Sequence, residues 1–317
     1  MSILCTGSIA YDYLMTFPGY FREHILPDRL DTISLSFLVD SMVRQRGGVA
    51  PNIAYTLALL GERPQIMATA GIDFEEYRAW LEAQNIDTSL IKIIPDKYTA
   101  SFFANTDKVN NQIASFYTGA MANASELSLR DVPIKPELVV ISPNDPRAME
   151  VLVDECVALG IPYLYDPSQQ IVRVSGETLR KGVEGAYSVF VNEYEFELIQ
   201  KHTGMSAEDI RKQVQLLVVT LGERGACIHT EGQTYDVPAV APVTTADPTG
   251  VGDAFRGGFL RGLRLGLGWE LAGKVGALAA TYCLEQAGTQ NHRYTRTEFV
   301  TRFRTYFDDQ GALDVLL

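Results

Sequence analysis

A short glycine-rich segment with an aspartate, DPTGVGDAF at residues 247–255, carries the clearest chemistry in this sequence. The residues after it, RGGFLRGLRLGLG, place apolar side chains at helical spacing, which predicts a loop that opens a helix. The first N–H groups of a helix are free, its N-terminus is positive, and glycine lets an anion approach closely. Gly250, Val251 and Gly252 are therefore suited to hold the charge that develops on a phosphoryl group during transfer.

Asp253 follows this loop directly, and a carboxylate beside an anion site needs a chemical reason. One reason is general base catalysis, in which the carboxylate takes the proton of an alcohol that attacks the γ-phosphate of a nucleotide. The other interpretation is a glycine-rich turn whose helix start is capped by an acidic residue. The loop alone leaves both interpretations open.

Two other phosphate-binding patterns fail in this sequence. Gly268 to Lys274 has the glycine and lysine spacing of a Walker loop, but Val275 stands where a hydroxyl would bind magnesium. The surrounding segment, GWELAGKVGALAATYCL, predicts one continuous packed helix. Phe255 occupies the third glycine position of a dinucleotide-binding turn, so that pattern is broken too.

The composition is that of an ordinary globular enzyme, with 317 residues, 46% hydrophobic and 21% charged. The formal net charge of −12 argues against a nucleic-acid or anionic-membrane partner, because phosphates are held by Lys and Arg. The beginning of the sequence lacks the pattern of a secretion signal, and its apolar runs are too short to span a bilayer. The four cysteines are far apart in the sequence, which suits a reducing compartment. We expect a cytoplasmic protein.

The chain alternates between predicted strands and helices. The predicted strands are 3–10, 64–71, 136–145, 161–168, 187–193 and 216–222. The predicted helices include 49–61, 74–84 and a segment that runs through Leu159. Short apolar strands separated by helices indicate an α/β fold with a mostly parallel central sheet covered by helices on both faces. Ligands of such sheets bind beyond the carboxyl ends of the strands.

Three segments alternate in polarity without a helix after them: 31–40, 97–107 and 111–119. They predict strands of a small antiparallel sheet that covers the active site as a lid. The alternative is an edge extension of the main sheet. We therefore expect a single domain over residues 1–317, with a lid drawn from about 13–45 and 97–119.

Four motifs resemble the signatures of the ribokinase-like, phosphofructokinase-B-type kinases, and they occur in that family's order. They are RGGVAPNIA (46–54), NEYE (192–195), TLGERG (220–225) and DPTGVGDAFRGGF (247–259). Further segments resemble the bacterial adenosine kinases of this fold: TGSIAYDYLMTFPG, SLSFLVD, IASFYTGAM, DPSQQ and GTQ. Only the resemblance points to this substrate; composition and periodicity do not.

The resemblance implies an adenosine kinase of purine salvage, which transfers the γ-phosphoryl group of ATP to the 5′-hydroxyl of adenosine. It implies ATP and Mg²⁺ as cofactors, with K⁺ or a similar cation organising the anion-binding loop. One alternative is a kinase of the same fold that acts on ribose or fructose. Another is a nucleoside-binding sensor without catalysis, against which the intact motif from Gly250 to Asp253 argues.

Site residues follow from the resemblance position by position. Asp253 matches the catalytic base, and Gly250, Val251 and Gly252 match the anion hole. The positions that grip the ribose are Ser8, Asp12, Gly48 and Asn52. The aromatic pair around adenine is Phe102 and Phe116, and Gln169 and Gln170 fall in the nucleoside pocket. Asn192 and Glu195 match the motif that holds magnesium through water, and the ATP-binding turn contains Thr220, Gly222 and Gly225.

Without the resemblance these residues have simpler interpretations. Asp12 offers acceptors for two sugar hydroxyls but also suits a turn. Phe102 and Phe116 lie in alternating segments, where phenylalanine usually belongs to the core. Asn192 and Glu195 also fit a helix start with an acidic first turn. The strand edges of the lid need cover, and for this reason we expect a homodimer through the lid.

Overall fold

The structure is a computed structural model that describes residues 2–32 and 34–317. The strands of the described residues are β1 (Ile3–Thr6), β2 (Ala10–Thr16), β3 (Ser41–Gly47), β4 (Gln65–Ala70), β5 (Asp87–Ile93), β6 (Ala100–Thr106), β7 (Gln112–Tyr117), β8 (Leu138–Ile141), β9 (Tyr163–Tyr165), β10 (Ser188–Asn192), β11 (Leu216–Thr220), β12 (Ala226–Thr230) and β13 (Gln233–Val237). They form one large sheet and one small sheet.

The large sheet has the strand order β13-β12-β11-β10-β9-β8-β1-β4-β5 in the described part of the chain. Its strands are parallel from β11 to β5, and β12 and β13 add an antiparallel hairpin at one edge. The central strands are continuous apolar runs such as LVVI in β8, and they are buried. Such runs are typical of strands covered on both faces. The prediction of an α/β fold with a mostly parallel central sheet is confirmed.

Helices cover both faces of the large sheet. They are α1 (Val49–Leu59), α2 (Glu75–Ala83), α3 (Pro146–Leu159), α4 (Gly176–Glu184), α5 (Glu193–Thr203), α6 (Ala207–Gln213), α7 (Val251–Arg264), α8 (Trp269–Leu284) and α9 (Arg296–Tyr306). The Walker-like segment forms the first turns of α8, and Lys274 bonds Glu270 on the same helix. Among residues 2–32 and 34–317, every helix is too short or too polar to cross a membrane.

Close packing of α7 against its neighbours positions the loop before it. A Cβ at Gly257 would lie 2.9 Å from the carbonyl oxygen of Ile53 in α1, and one at Gly258 would lie 2.8 Å from that of Val275 in α8. The two glycines after Asp253 therefore allow α7 to sit directly on both helices. This contact fixes the start of α7 relative to α1.

The small sheet has the order β3-β2-β6-β7. Its outer pairs are antiparallel, as the sequence predicts, while its central strands β2 and β6 run parallel. The predicted strand at 3–10 splits at residues 7–9, where the chain leaves β1 of the large sheet and enters β2 of the small one. The predicted strands at 97–107 and 111–119 are β6 and β7. Because these strands belong to a separate sheet, the alternative of an edge extension of the main sheet does not hold.

The prediction of a strand at 31–40 is wrong. Residues 27–32 form a 3₁₀ helix, residues 34–40 have no strand, and Ile33 lies outside the described residues. Phe37 of this segment packs locally instead, against the rings of Phe17 and Phe21. The strand that the sequence did not predict is β3, SMVRQRG. Its Arg44 and Arg46 interrupt the alternation of apolar and polar residues that is typical of a strand. Their guanidinium groups lie over the rings of aromatic side chains, as long basic side chains do on apolar surfaces.

Candidate active site

A cleft of about 800 Å³ lies between the small sheet and the carboxyl ends of the large-sheet strands. Nearly all of the predicted site residues line it: Ser8, Asp12, Gly48, Asn52, Phe102, Phe116, Gln169, Gln170, Asn192, Glu195, Thr220, Gly222, Gly250, Gly252 and Asp253. Val251 and Gly225 line an adjoining cavity of about 640 Å³ instead. The two spaces share Thr220, Gly222 and Gly252, so they meet beside the glycine loop.

Asp253 lies in the first turn of α7, but its side chain does not cap that helix. Gly250 is the N-cap residue, and it has a φ of 76°, a conformation that favours glycine. A Cβ at Gly250 would approach Cγ2 of Thr289 to 2.8 Å. Oδ2 of Asp253 accepts a hydrogen bond of 2.8 Å from Nδ2 of Asn52 in α1. The structure thus favours a carboxylate presented to the cleft over the capping interpretation.

The surroundings of Asp253 set its proton affinity. Burial raises its pKa to about 6, while the charge of Arg256 and the hydrogen bond from Asn52 act in the opposite direction. Nη1 of Arg256 lies 4.0 Å from Oδ1 of Asp253, and the aspartate side chain is 15% exposed. A carboxylate with a pKa near neutrality is suited to accept a proton at physiological pH.

Arg256 is itself held by a buried partner that the sequence interpretation missed. Its Nη2 donates to Oδ1 of Asp166 at 2.7 Å, and both side chains are buried. A Cβ at Gly252 would lie 2.7 Å from Nη1 of Arg256, so this glycine leaves room for the guanidinium group beneath the loop. A signal was present in the sequence, because Arg256 is the one charged residue in the buried stretch from Ala254 to Leu260 of α7. Lone charges on buried faces usually have a partner.

Asp12, Phe102 and Phe116 form one row across the small sheet. Asp12 is opposite Phe102 in the register of β2 and β6, and Phe102 is opposite Phe116 in that of β6 and β7. All three therefore face the same side of the sheet, which is the side of the cleft. Phe116 is 47% exposed, so it is not a core residue. Burial, with the charge of Asp247, raises the pKa of Asp12 to about 6.

Two glycines join β3 to α1 next to this row. A Cβ at Gly47 would lie 2.6 Å from Oδ2 of Asp12, and one at Gly48 would lie 2.5 Å from the carbonyl oxygen of Ser8. Gly48 also has a φ of 96°. The side-chain oxygen of Ser8 accepts from the backbone N–H of Val49 at 3.3 Å. The glycine pair therefore brings the start of α1 against both polar residues.

Asn192 and Glu195 form a complete capping box at the start of α5. The side-chain oxygen of Asn192 accepts from the backbone N–H of Glu195, and Glu195 accepts from that of Asn192, each at 2.8 Å. The interpretation as a helix start is therefore correct, and both residues also line the cleft. Ser168 donates to the second oxygen of Glu195 at 3.1 Å. Residues 2–32 and 34–317 contain no cluster of three or more His, Cys, Asp and Glu side chains that could hold a metal.

The adjoining cavity is lined mainly by apolar and small residues. It lies between the turn after β11 and helices α7 and α8, and its walls include Val240, Pro242, Phe255, Ala277 and Leu284. Gly225 shapes the turn, because it has a φ of 94° and its Cβ would lie 2.0 Å from the carbonyl oxygen of Val237. The sequence interpretation identified the turn but not the apolar walls. They come from helix faces that look like ordinary core in the sequence.

The model of the pfkB family carbohydrate kinases matches residues 10–296. The chain belongs to the pfkB family of carbohydrate kinases. Its match includes all four motifs at 46–54, 192–195, 220–225 and 247–259, and it confirms the family that they suggest.

Several proteins similar to this pfkB kinase are named nucleoside kinases. The nucleoside kinase of Burkholderia thailandensis, solved in complex with inosine, is 38% identical and has a TM-score of 0.85, with 96% of this chain and 98% of that chain covered. The nucleoside kinase of Methanocaldococcus jannaschii is 28% identical over 96% of this chain and 97% of its own length. The ribokinase of Thermotoga maritima, at 20% identity and a TM-score of 0.80, covers 96% of this chain and 99% of its own and shares the fold, which is therefore ribokinase-like.

Proposed function

We propose that this pfkB kinase is an adenosine kinase, which transfers the γ-phosphoryl group of ATP to the 5′-hydroxyl of adenosine to give AMP and ADP. The observation that carries the proposal is the row of Asp12, Phe102 and Phe116, which faces a cleft that also contains Asp253. A carboxylate recognises sugar hydroxyls, and two rings recognise a flat base. A free sugar would leave the rings without a partner.

In this proposal Asp253 is the general base. It takes the proton from the 5′-hydroxyl while the oxygen attacks the γ-phosphorus and the bond to the β-phosphate oxygen breaks. The transferring phosphoryl group would lie at the N-terminus of α7, where the loop of Gly250, Val251 and Gly252 lets an anion approach the backbone. Ser8, Gly48 and Asn52 hold the ribose beside Asp12, and the small sheet acts as a lid over the nucleoside.

ATP occupies the other end of the cleft in this account. Its base enters the apolar adjoining cavity, and the turn from Thr220 to Gly225 lies beside its phosphates. Mg²⁺ would be held by Asn192 and Glu195 through water. Their side-chain oxygens accept hydrogen bonds in the capping box but keep further lone pairs that can accept from metal-bound water. When bound, Mg²⁺ neutralises phosphate charge. A relative solved in complex with ADP-inosine supports the use of ATP. The dependence on K⁺ stays a prediction.

The proposal specifies adenosine rather than inosine as the nucleoside substrate. The two purines differ at position 6, where adenine has an amino donor and hypoxanthine has a carbonyl acceptor. Gln170 lines the cleft and is buried, and its Oε1 has no hydrogen-bond partner within the described chain. A free acceptor matches the amino group of adenine. The inosine complex of the Burkholderia relative makes inosine the competitor to test.

The test is kcat/KM for adenosine, inosine, ribose and fructose with ATP and Mg²⁺. Replacing Phe102 or Phe116 by Ala should cost ~1–3 kcal/mol of adenosine binding, or roughly five- to 150-fold. Phe103→Ala is the matched control, because Phe103 lies on the opposite face of β6 and stacks on Tyr13.

Equal turnover of ribose and adenosine, with both phenylalanine variants like wild type, would replace the proposal with a sugar kinase. Binding of adenosine without turnover of any acceptor would indicate a sensor. A higher kcat/KM for inosine would retain the nucleoside kinase and reject the adenosine assignment.

We also propose a homodimer that forms through the lid. Exposed apolar side chains concentrate on this part of the chain, including Leu38, Met42, Val43, Ile113 and Tyr117. Large exposed apolar patches commonly mark protein contacts, and lid edges need cover. Light scattering of wild type and of Leu38→Glu tests this. A wild-type monomer at all concentrations would reject it.

A further inference from the structure

A chain of hydrogen bonds connects Asp253 with the small sheet. Nδ2 of Asn52 donates to Asp253, and Oδ1 of Asn52 accepts from Nε2 of Gln290 at 2.7 Å. The same Nε2 lies 2.6 Å from the hydroxyl of Tyr77, and this hydroxyl lies 2.9 Å from the carbonyl oxygen of Gly47 at the end of β3. Asn52, Tyr77 and Gln290 are all buried.

Both ends of this chain can only accept. An ionised carboxylate and a backbone carbonyl have no proton to give, so one group between them must donate in both directions. Asn52 and Tyr77 each accept one hydrogen bond and donate one. The NH₂ group of Gln290 has two protons and can supply both neighbours. Oε1 of Gln290 also lies 3.0 Å from the Tyr77 hydroxyl, whose single proton is engaged by Gly47.

We propose that Gln290 and Tyr77 are positioning residues, which hold Asn52 with its NH₂ group towards Asp253. The inference rests on the proposed function, because it treats Asp253 as the base. With this orientation fixed, the carboxylate keeps a donor on Oδ2. With the opposite orientation, the oxygen of Asn52 would face the carboxylate and disfavour its ionised form. Burial raises the pKa of Tyr77 well above its ordinary value, so its hydroxyl remains a donor.

The other titratable groups near Asp253 lie on helices α5, α7 and α8 and in the loop after β9. Arg256 of α7 favours its charge, and Glu195 of α5 opposes it. Asp166, after β9, also pairs with Arg256, and burial together with the charges of Glu195 and Asp253 raises its pKa. Cys283 of α8 is neutral, since burial raises its pKa to about 12. None of these groups bonds Asn52 in the described structure, where its side chain contacts Asp253 through Nδ2 and Gln290 through Oδ1.

Thr289, the residue before Gln290, contacts the residue of β3 that precedes Gly47. The hydroxyl of Thr289 donates to the carbonyl oxygen of Arg46 at 3.1 Å, one residue before Gly47. The segment from Thr289 to Gln290 therefore contacts two successive carbonyls of the small sheet, the second through Tyr77. A displacement of β3 would therefore change the hydrogen bonding of Asp253 through the side chains of Tyr77, Gln290 and Asn52.

The experiment measures the pKa of Asp253 by ¹³C NMR of labelled aspartate carboxyl groups in the full-length protein. The loss of one signal in Asp253→Asn assigns it. We expect Gln290→Leu to raise this pKa by about one to two pH units, since Asn52 is then no longer held with its NH₂ group towards the ionised carboxylate. Tyr77→Phe should shift it in the same direction by less. Gln286→Leu, an exposed position of the same segment, should leave it unchanged.

The acid limb of kcat/KM should move with the NMR titration in each variant. A purely structural role would lower the melting temperature and leave the Asp253 titration in place. An unchanged pKa in folded Gln290→Leu and Tyr77→Phe would overturn the inference, and Tyr77→Phe decides alone if the leucine variant does not fold. The titration does not need turnover. Failure of wild type to phosphorylate any nucleoside would therefore count against the proposed function alone.

Discussion

Asp253 and Glu195 occupy the same position in two helices, and their side chains do different things. Each is the third residue of its helix, Asp253 in α7 and Glu195 in α5. Glu195 bonds the backbone of Asn192 and completes a capping box. Asp253 makes no bond to the start of its own helix and contacts Asn52 of another.

The difference comes from the N-cap residue. Asn192 has a side chain that satisfies the helix N-terminus, so the carboxylate three residues later joins it there. Gly250 has none, so no N-cap side chain occupies the N-terminus of α7, and the carboxylate of Asp253 contacts a neighbouring helix instead; the N–H group of Val251 has only a long contact of 3.5 Å to the carbonyl oxygen of Pro248. The same spacing of an N-cap residue and an acid thus gives a stabilising cap in one helix and a candidate base in the other.

The largest expected effect is on turnover. Asp253→Asn keeps the shape of the side chain but cannot accept a proton, so kcat should fall by ~10²–10⁴ while ATP and adenosine still bind. Glu195→Gln is the matched control, because it makes the same chemical change at the same helical position. At saturating Mg²⁺ its kcat should stay close to wild type. A loss of less than about tenfold in Asp253→Asn would remove Asp253 as the base.

The two residues should have opposite effects on stability. The pKa of Asp253 is raised to about 6 in the fold, so its contribution favours folding at acid pH and is lost as pH rises through that value. At alkaline pH the buried charge costs stability, and Asp253→Asn should raise the free energy of unfolding by on the order of 2 kcal/mol. Glu195→Ala loses half of the capping box and should lower it by about 0.5–1 kcal/mol.

Urea unfolding of both variants at alkaline pH measures this contrast. Asp253→Asn should lose its advantage in acid, where the wild-type carboxyl is protonated. Equal destabilisation by the two substitutions would mean that Asp253 serves its helix as Glu195 does.

The smallest expected effect concerns magnesium. Glu195→Gln preserves the capping box, because Gln accepts the same backbone bond, but it removes the negative charge near the phosphates. The Mg²⁺ concentration for half-maximal rate should rise a few-fold, with adenosine affinity nearly unchanged. Magnesium titrations at saturating substrates measure it. Superimposable curves would limit Glu195 to its capping role.

The parts of the fold that depend on local pattern were predictable from the sequence. Continuous apolar runs such as LVVI and LLVVT identify the central strands, and the glycine loop identifies the start of α7. Strand β3 was not predictable in this way, because its two arginines are stabilised by rings from Tyr11 and Trp80. Its register is set by pairing with β2 rather than by its own polarity.

The candidate site likewise has parts that the sequence predicts and parts that it does not. Residues in recognisable motifs, such as Asn52 and Asp253, could be predicted from the sequence to lie in the cleft. Their buried partners could not, because Asp166, Tyr77 and Gln290 reach the site from distant parts of the chain. A buried polar group is explained by its partner, and only the tertiary structure brings the two together.

The most direct test of the central claim is the pH dependence of kcat/KM for adenosine. If Asp253 is a base freed from its helix, its carboxyl must be ionised, and its pKa is about 6. We predict that kcat/KM of wild type falls by at least about tenfold for each pH unit below that value, and that Asp253→Asn loses the part of this fall due to Asp253 and keeps the part due to Asp12, whose pKa is also raised to about 6. A profile that stays flat from about pH 8 to about pH 5 would contradict the account.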